Sequence, residues 1–208
     1  MRSRAMTSVM MLFVALFAVP ALADWGPDLY ESSVTVDFEG EASLCVYPNG
    51  AGPALNEAFN PWGYEVDATI TLDLRDGNND PITGYPREDL WLESVDNGLV
   101  YCPLGTMADH DTDQNGQTTW SQPLNAGGHS SANCQVMVNG MPMPGPGLPL
   151  HFNSPDLNAD LTVTLTDLAL FAGDFFGTYD YRADFNFDGT INLSDFALFA
   201  EGYLAHCP

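Results

Sequence analysis

The chain has 208 residues, of which 28 are Asp or Glu and five are Arg, with no Lys, for a formal net charge of −23. So acidic a surface repels phosphate backbones and anionic lipid, which argues against nucleic-acid binding and electrostatic adhesion to membranes. The length allows one or two domains.

Residues 1–23 read as a secretory signal. Arg2 and Arg4 precede an apolar run from Val9 to Val19, and Ala21-Leu22-Ala23 supplies a small-residue cleavage site. The run is about 11 residues, against the ~20 that a bilayer span needs. No later stretch approaches that length, so the mature chain is expected to be secreted, extracellular or at the cell surface, without membrane insertion. Four cysteines follow: Cys45, Cys102, Cys134 and Cys207. An even count behind a secretion signal favours disulfides, and spacing leaves three connectivities open. Cys102 and Cys134 flank the Asn115-Gly116 turn, which favours that pair and leaves Cys207 to tie back to Cys45.

Residues 24–140 carry all-β signals. Val34, Val36 and Phe38 alternate with polar residues, as do Ala68, Ile70, Leu72 and Leu74. Period two marks half-buried strands. Further short strands are expected around Leu44–Tyr47, Leu90–Val95, Leu99–Cys102, Gln117–Ser121 and Cys134–Val138. Asn49-Gly50, Asp76-Gly77, Asn97-Gly98 and Asn115-Gly116 are turn signals between them. About seven short strands in roughly 110 residues suggest a β-sandwich. Three segments, Asp67–Asp76, Asp80-Pro-Ile-Thr-Gly84 and Thr112–Trp120, resemble bacterial immunoglobulin-like modules of the invasin kind. The resemblance implies an Ig-like sandwich. Residues 141–151, rich in Pro and Gly, are expected to be an extended linker.

Residues 152–208 hold the clearest chemistry. Asp156-x-Asn158-x-Asp160-x-Thr162-x-Thr164-x-x-Asp167 recurs 28 positions on as Asp184-x-Asn186-x-Asp188-x-Thr190-x-Asn192-x-x-Asp195. Oxygen ligands at positions 1, 3, 5, 7, 9 and 12 match what calcium requires, with a backbone carbonyl at 7 and a water-mediated contact at 9. The acids at 1, 5 and 12 and the amide at 3 are expected to converge on one point. Each loop runs into an apolar helix, and Thr164 with Asp167, and Asn192 with Asp195, fit capping boxes. Gly189 gives the second loop its turn at position 6, where the first has Leu161. A bulky residue held left-handed costs about 1–2 kcal/mol. Two calcium sites are therefore expected, the second stronger.

Similar openings elsewhere fail. Asp111-x-Asp113-x-Asn115-Gly116 reaches Gln122 at position 12, and Asp76-x-Asn78-x-Asp80 reaches Arg87. Both read as turn chemistry.

A loop followed by a helix, twice, with Pro149 and Pro155 barring an entering helix, resembles a type I dockerin. The resemblance implies a small calcium-folded module that docks onto a cohesin-like domain or a cell-surface scaffold. It also implies a Ser/Thr pair before the last acid. Here Leu165-Thr166 and Leu193-Ser194 keep only the second member, which departs from the usual partner choice. Leu168, Phe171, Ala172 and Phe175, with Phe196, Phe199, Ala200 and Tyr203, fall on core-facing helical spacing, leaving Leu170 and Leu198 as candidates for exposed contact.

His110, His129, His151 and His206 have no ligand spacing and read as surface or turn residues. No nucleophile elbow or phosphate loop is present. Trp62, Tyr64, Trp91, Tyr101 and Trp120 suit either a sandwich core or sugar stacking. The whole reads as mainly β plus a small α part: an Ig-like sandwich followed by a dockerin-like two-helix calcium module, secreted and leaning away from an enzyme. It would mediate docking or display in an extracellular assembly. The alternative is an accessory of polysaccharide degradation, with the sandwich a carbohydrate-binding module or a small glycoside hydrolase.

Overall fold

The computed structural model describes residues 26–208, so the expected signal over residues 1–23 lies outside the described residues. Twelve strands precede the two helices among the described residues: β1 (Ser33–Val36), β2 (Ala42–Cys45), β3 (Ala58–Phe59), β4 (Glu65–Val66), β5 (Ile70–Asp73), β6 (Leu90–Ser94), β7 (Leu99–Tyr101), β8 (Gln117–Trp120), β9 (Ala126–Gly128), β10 (Cys134–Val138), β11 (Met141–Pro142) and β12 (Leu150–Asn153). Helix α1 spans Leu165–Phe175 and α2 spans Leu193–Gly202. The chain is mainly β with two short helices.

The strands form small sheets ordered β1-β5-β8, β11-β10-β6, β12-β2-β3-β4 and β7-β9. Pairing is antiparallel except for β12 with β2, where Leu150 to Asn153 run parallel to Ala42 to Cys45. Alternation does its work in β5. Ile70, Leu72 and, just beyond, Leu74 are fully buried, while Thr71 and Asp73 face outward, and Leu72 sits opposite Val34 and Thr118. Trp120, Leu44, Leu92, Val136 and Phe152 join them in one apolar cluster shared by the sheets. The Trp120 indole donates to the Thr106 carbonyl at 3.0 Å, so the largest core side chain leaves no polar atom unpaired.

Three sequence expectations change here. Residues 141–151 are not a spacer. Met141 and Pro142 pair with β10, Leu148 bridges Cys134, and Leu150 begins a fully buried strand. The prolines remove donors, but Met143 and Leu150, set between them, drop into the core. The cysteines pair as Cys102–Cys207, with Cys45 and Cys134 free and buried. Cys134 enters β10 facing the core, and Cys45 ends β2 under the helices, so neither is placed where the spacing suggested.

The third change concerns separability. A second apolar cluster joins Leu157, Val163, Phe171, Ala183, Phe185, Phe199 and Ala205 to Cys45 and Tyr47. The helical part thus borrows side chains from the sheet part. Phe171 is stacked on Phe185 at 5.8 Å and lies 5.5 Å from Phe199, and the Tyr47 hydroxyl donates to the Leu198 carbonyl at 2.9 Å. Gly202 presses so closely on Pro155 and Tyr47 that a Cβ there would stand 2.9 Å from the proline ring.

Candidate metal centre

The residues after β12 turn through Ser154-Pro155 into the first loop, and a single 3-10 turn, Tyr181–Ala183, leads into the second. The two loops are wired alike. In the first, Asp156 accepts from the Asp160 and Leu161 amides at 3.1 and 2.8 Å. Asp167 reaches back to the Asn158 amide at 3.2 Å and caps Thr164 at 2.8 Å. In the second, Asp184 accepts from Asp188 and Gly189 at 3.1 and 2.9 Å, and Asp195 accepts from Asn186 and Asn192 at 3.3 and 2.8 Å. The 28-residue sequence repeat is therefore a repeat of hydrogen bonds.

Backbone conformation repeats too. Position 4 is left-handed in both loops, at Ala159 (φ 59°) and Phe187 (φ 54°), as is position 6, at Leu161 (φ 65°) and Gly189 (φ 83°). Leu161 is held where glycine is favoured. Both helices open with the expected capping boxes, Thr164 with Asp167 and Asn192 with Asp195.

The acids at positions 1 and 12 of each loop, Asp156, Asp167, Asp184 and Asp195, are fully buried. None has an Arg in salt-bridge reach: the ion pairs among the described residues join Arg75 to Asp73, Arg87 to Glu88, and Arg182 to Asp174 and Asp180. Burial pushes the Asp156 carboxyl up to about 6, against the pull of the Leu161 and Asp160 amides, and Asp167 nearby adds to the rise. Burial likewise raises Asp195 to about 6, with the Asp184 charge adding to it. Asp184 is raised by burial, opposed by the Tyr179 hydroxyl at 2.8 Å and two backbone amides. Like charges placed together out of water raise one another in this way.

The remaining predicted residues have other partners. Asp160 and Asp188 accept from the Thr162 and Thr190 amides at 2.9 Å each. Asn158 and Asn186 point their amide nitrogens at Asp160 and Asp188, at 2.9 and 3.0 Å. Among the described residues, no three His, Cys, Asp or Glu side chains are gathered into a ready cation cage. The full convergence expected of positions 1, 5 and 12 is thus only partly drawn: Asp156 feels the charges of both Asp167 and Asp160, Asp184 that of Asp188 and Asp195 that of Asp184, without three acids closing into one cage among the described residues. The donor set is nonetheless all oxygen and without a cationic side chain, with the acids at positions 1 and 12 buried and Asn158, Asp160, Thr162 and Thr190 open to solvent, which fits calcium chemistry. The turns at Asp76 and Asp113 differ. There the aspartate closes an exposed turn onto Asn78 and Asp80, or Asn115 and Gln117, with no acid folding back.

The sheets supply residues that the loop pattern did not signal. Gly127 in β9 backs onto Asp156 so tightly that a Cβ would overlap Oδ2, and the Gly128 amide donates to the Asp156 carbonyl at 3.0 Å. Gly63 faces Asp188, Ser43 meets the Tyr181 hydroxyl at 2.8 Å, and buried Asn153 donates to the Asp184 carbonyl. His151, expected at the surface, is buried in β12 with its edge toward Tyr181 and Phe187, at 6.1 and 5.9 Å. Apolar short segments between prolines gave no periodic signal for any of this.

The helix faces also depart from expectation. Leu170 and Leu198 are half-buried against the second cluster. Leu165 (68% exposed), Leu193 (74%), Phe176 and Phe196 are exposed instead, as are Leu204 and Tyr203, and Leu193, Phe176 and Phe196 line an all-apolar groove with Leu168 and Phe175. The pseudo-repeat places Leu165 and Leu193 at equivalent first positions of the two helices.

No family model matches the sequence, and no curated protein matches it. Among solved structures, a Lin-41 filamin domain is similar over 61% of this chain and 96% of its own, at 16% identity and a TM-score of 0.32. A likeness that distant carries no argument about fold or function. No helix among the described residues is long and apolar enough to cross a membrane.

Proposed function

We propose that this is a secreted, non-catalytic calcium-binding protein that docks onto a cohesin-like domain or scaffold in an extracellular assembly. Its sheets form an Ig-like sandwich and residues 152–208 a dockerin-like part. One observation carries the reading: four buried aspartates, at positions 1 and 12 of two loops that share their backbone hydrogen bonds, have no basic side chain in salt-bridge reach to neutralise them. A calcium ion in each loop would supply that charge. Asp156, Asn158, Asp160 and Asp167 would hold the first, with Thr162 and Thr164. Asp184, Asn186, Asp188 and Asp195 would hold the second, with Thr190 and Asn192.

The docking face follows from the helices. Leu165-Thr166 and Leu193-Ser194 stand exposed at equivalent positions, and Leu193 lines the apolar groove. They replace Leu170 and Leu198 as the contact candidates.

Calorimetric calcium titration of the full chain tests the metal. Two binding events are expected, and Asp184→Ala should weaken binding more than Asp156→Ala, because the first loop already carries the left-handed Leu161. Equal losses contradict the ranking, and no heat at millimolar calcium contradicts the sites. Titration with a panel of cohesin domains, with and without EGTA, tests the docking. Binding abolished by EGTA and by Leu193→Asp supports it, and absence of binding to every cohesin removes it.

A further inference from the structure

The exposed aromatic residues are unevenly distributed. Trp120 is core, and the Trp91 indole and Tyr101 hydroxyl both bond Glu93. Trp62 and Tyr64 are different: 73% and 70% of their surfaces face solvent. They sit on a turn that is firmly held. The Asn60 side chain accepts from the Trp62 and Tyr64 amides at 3.1 Å each, the Asn60 amide donates to the Tyr64 carbonyl at 2.9 Å, and the Gly63 amide closes onto the Asn60 carbonyl at 2.9 Å. Gly63, at φ 74°, rests against Asp188 of the second loop. The turn therefore presents an indole to water on a rigid mount, and rigid presentation lowers the entropy lost on binding.

Trp62 lines a cleft of about 450 Å³ between this turn and the β1–β2 connection. Phe38 and Pro61 provide further apolar wall, and the exposed carboxylates of Asp37, Glu39, Glu41 and Asp67 ring it. None of these four acids is in a salt bridge among the described residues. The volume falls within the range of small-ligand sites, roughly 300–1,000 Å³.

We infer that this cleft binds a neutral polysaccharide, one or two sugar rings at a time, with a pyranose face laid on the Trp62 indole. The C–H bonds on that face are weakly positive and meet the negative face of the indole ring. Sugar hydroxyls are donors, and the cleft offers carboxylate acceptors, which form the stronger class of hydrogen bond. The same carboxylates exclude uronic acids and sulfated glycans by like-charge repulsion. The inference does not need calcium to be bound, so it stands or falls apart from the metal reading.

The test is retention of the full chain on insoluble cellulose, xylan, mannan and chitin, followed by tryptophan fluorescence titration with the soluble oligosaccharide of whichever glycan retains it. Retention on at least one neutral glycan is expected, undiminished by high salt, which screens charge–charge attraction. Truncating an anchoring Trp typically costs more than ~1 kcal/mol, so Trp62→Ala should weaken binding by about fivefold or more. Trp62→Phe should restore part of it, and neither variant should move the melting temperature, since the side chain is exposed. Retention on none of the four glycans overturns the inference. So does retention that Trp62→Ala leaves unchanged, retention on polygalacturonate alone, or binding only to a basic peptide and only at low salt.

Discussion

Tyr47 is the residue at which the sheet part and the helical part can be shown to fold together or apart. It follows β2 in the chain, yet its ring lies in the cluster with Phe171, Phe185 and Phe199, and its hydroxyl holds the Leu198 carbonyl. Tyr47→Phe removes one neutral hydrogen bond, worth about 1 kcal/mol. Tyr47→Ala opens a cavity where an aromatic ring was, at about 3–5 kcal/mol. For a chain of this size one kcal/mol moves the melting temperature by roughly 2–4 °C, so shifts of about 2–4 °C and 6–20 °C are expected. The assay follows helix by far-ultraviolet circular dichroism and the Trp120 environment by the near-ultraviolet signal, in the same thermal scan. Both signals should move together in each variant, and Phe171→Ala should in turn shift the near-ultraviolet transition. A helical signal that melts at its original temperature in Tyr47→Ala refutes the shared core, and residues 152–208 would then be a separable module after all.

The disulfide makes a parallel claim. Non-reducing peptide mapping should recover Cys102–Cys207, with Cys45 and Cys134 alkylated only after unfolding, and Cys207→Ser should cost up to about 4–5 kcal/mol for a closed loop of this length in the chain-entropy account. Position 6 of the loops gives two substitutions of opposite sign. Gly189→Ala meets nothing within 4 Å but must hold a left-handed backbone, so it should destabilise by about 1–2 kcal/mol. Leu161→Gly should relieve that strain, offset in part by the 0.5–1 kcal/mol of extra freedom of glycine in the unfolded chain, for a net gain of up to about 1 kcal/mol in denaturant titration. A loss in Leu161→Gly would mean that the leucine side chain contributes more by packing than its backbone costs.

Much of this was legible in the sequence because it is local. The alternating run from Ala68 to Leu74 set a strand, the seven expected strand regions all contain strands, and the S/T/N-to-Asp spacing set both helix starts. These signals depend on a residue and its near neighbours. What escaped depends on partners far along the chain. β12 is buried on all sides because it runs parallel to β2, more than 100 residues earlier, and a strand of four residues hemmed by Pro149 and Pro155 has no period to read. Leu170 and Leu198 looked outward because helical spacing alone cannot say that a sheet covers a second side of the helix. Cys45 and Tyr47 of the sheet part belong to the cluster against which both pack, and the Tyr47 hydroxyl reaches the Leu198 carbonyl. The cysteine pairing failed for the same reason: Cys102 and Cys207 meet only once the C-terminal segment has returned along Val163, where the Val163 amide donates to Ala205 and Leu204 donates back.

The placement of the loops also bears on what a bound ion would do. In a helix pair standing alone, the work of an ion is spent on folding the pair. Here Asp156 lies against Gly127 of β9, the Asp184 carbonyl is held by Asn153 of β12, and Asp188 underlies the Trp62 turn through Gly63. Each proposed site is therefore fixed on one side by the sheets. Charging Asp156 or Asp195 without a cation works against burial, and Asp156 bears directly on Gly127 and Gly128 of β9. Neutralising it with calcium would stabilise those same contacts. Binding at the loops should thus be felt as far as β9 and the Asn60–Tyr64 turn. The two exposed faces, the groove between the helices and the cleft under Trp62, are then held by a single body rather than by two domains on a tether.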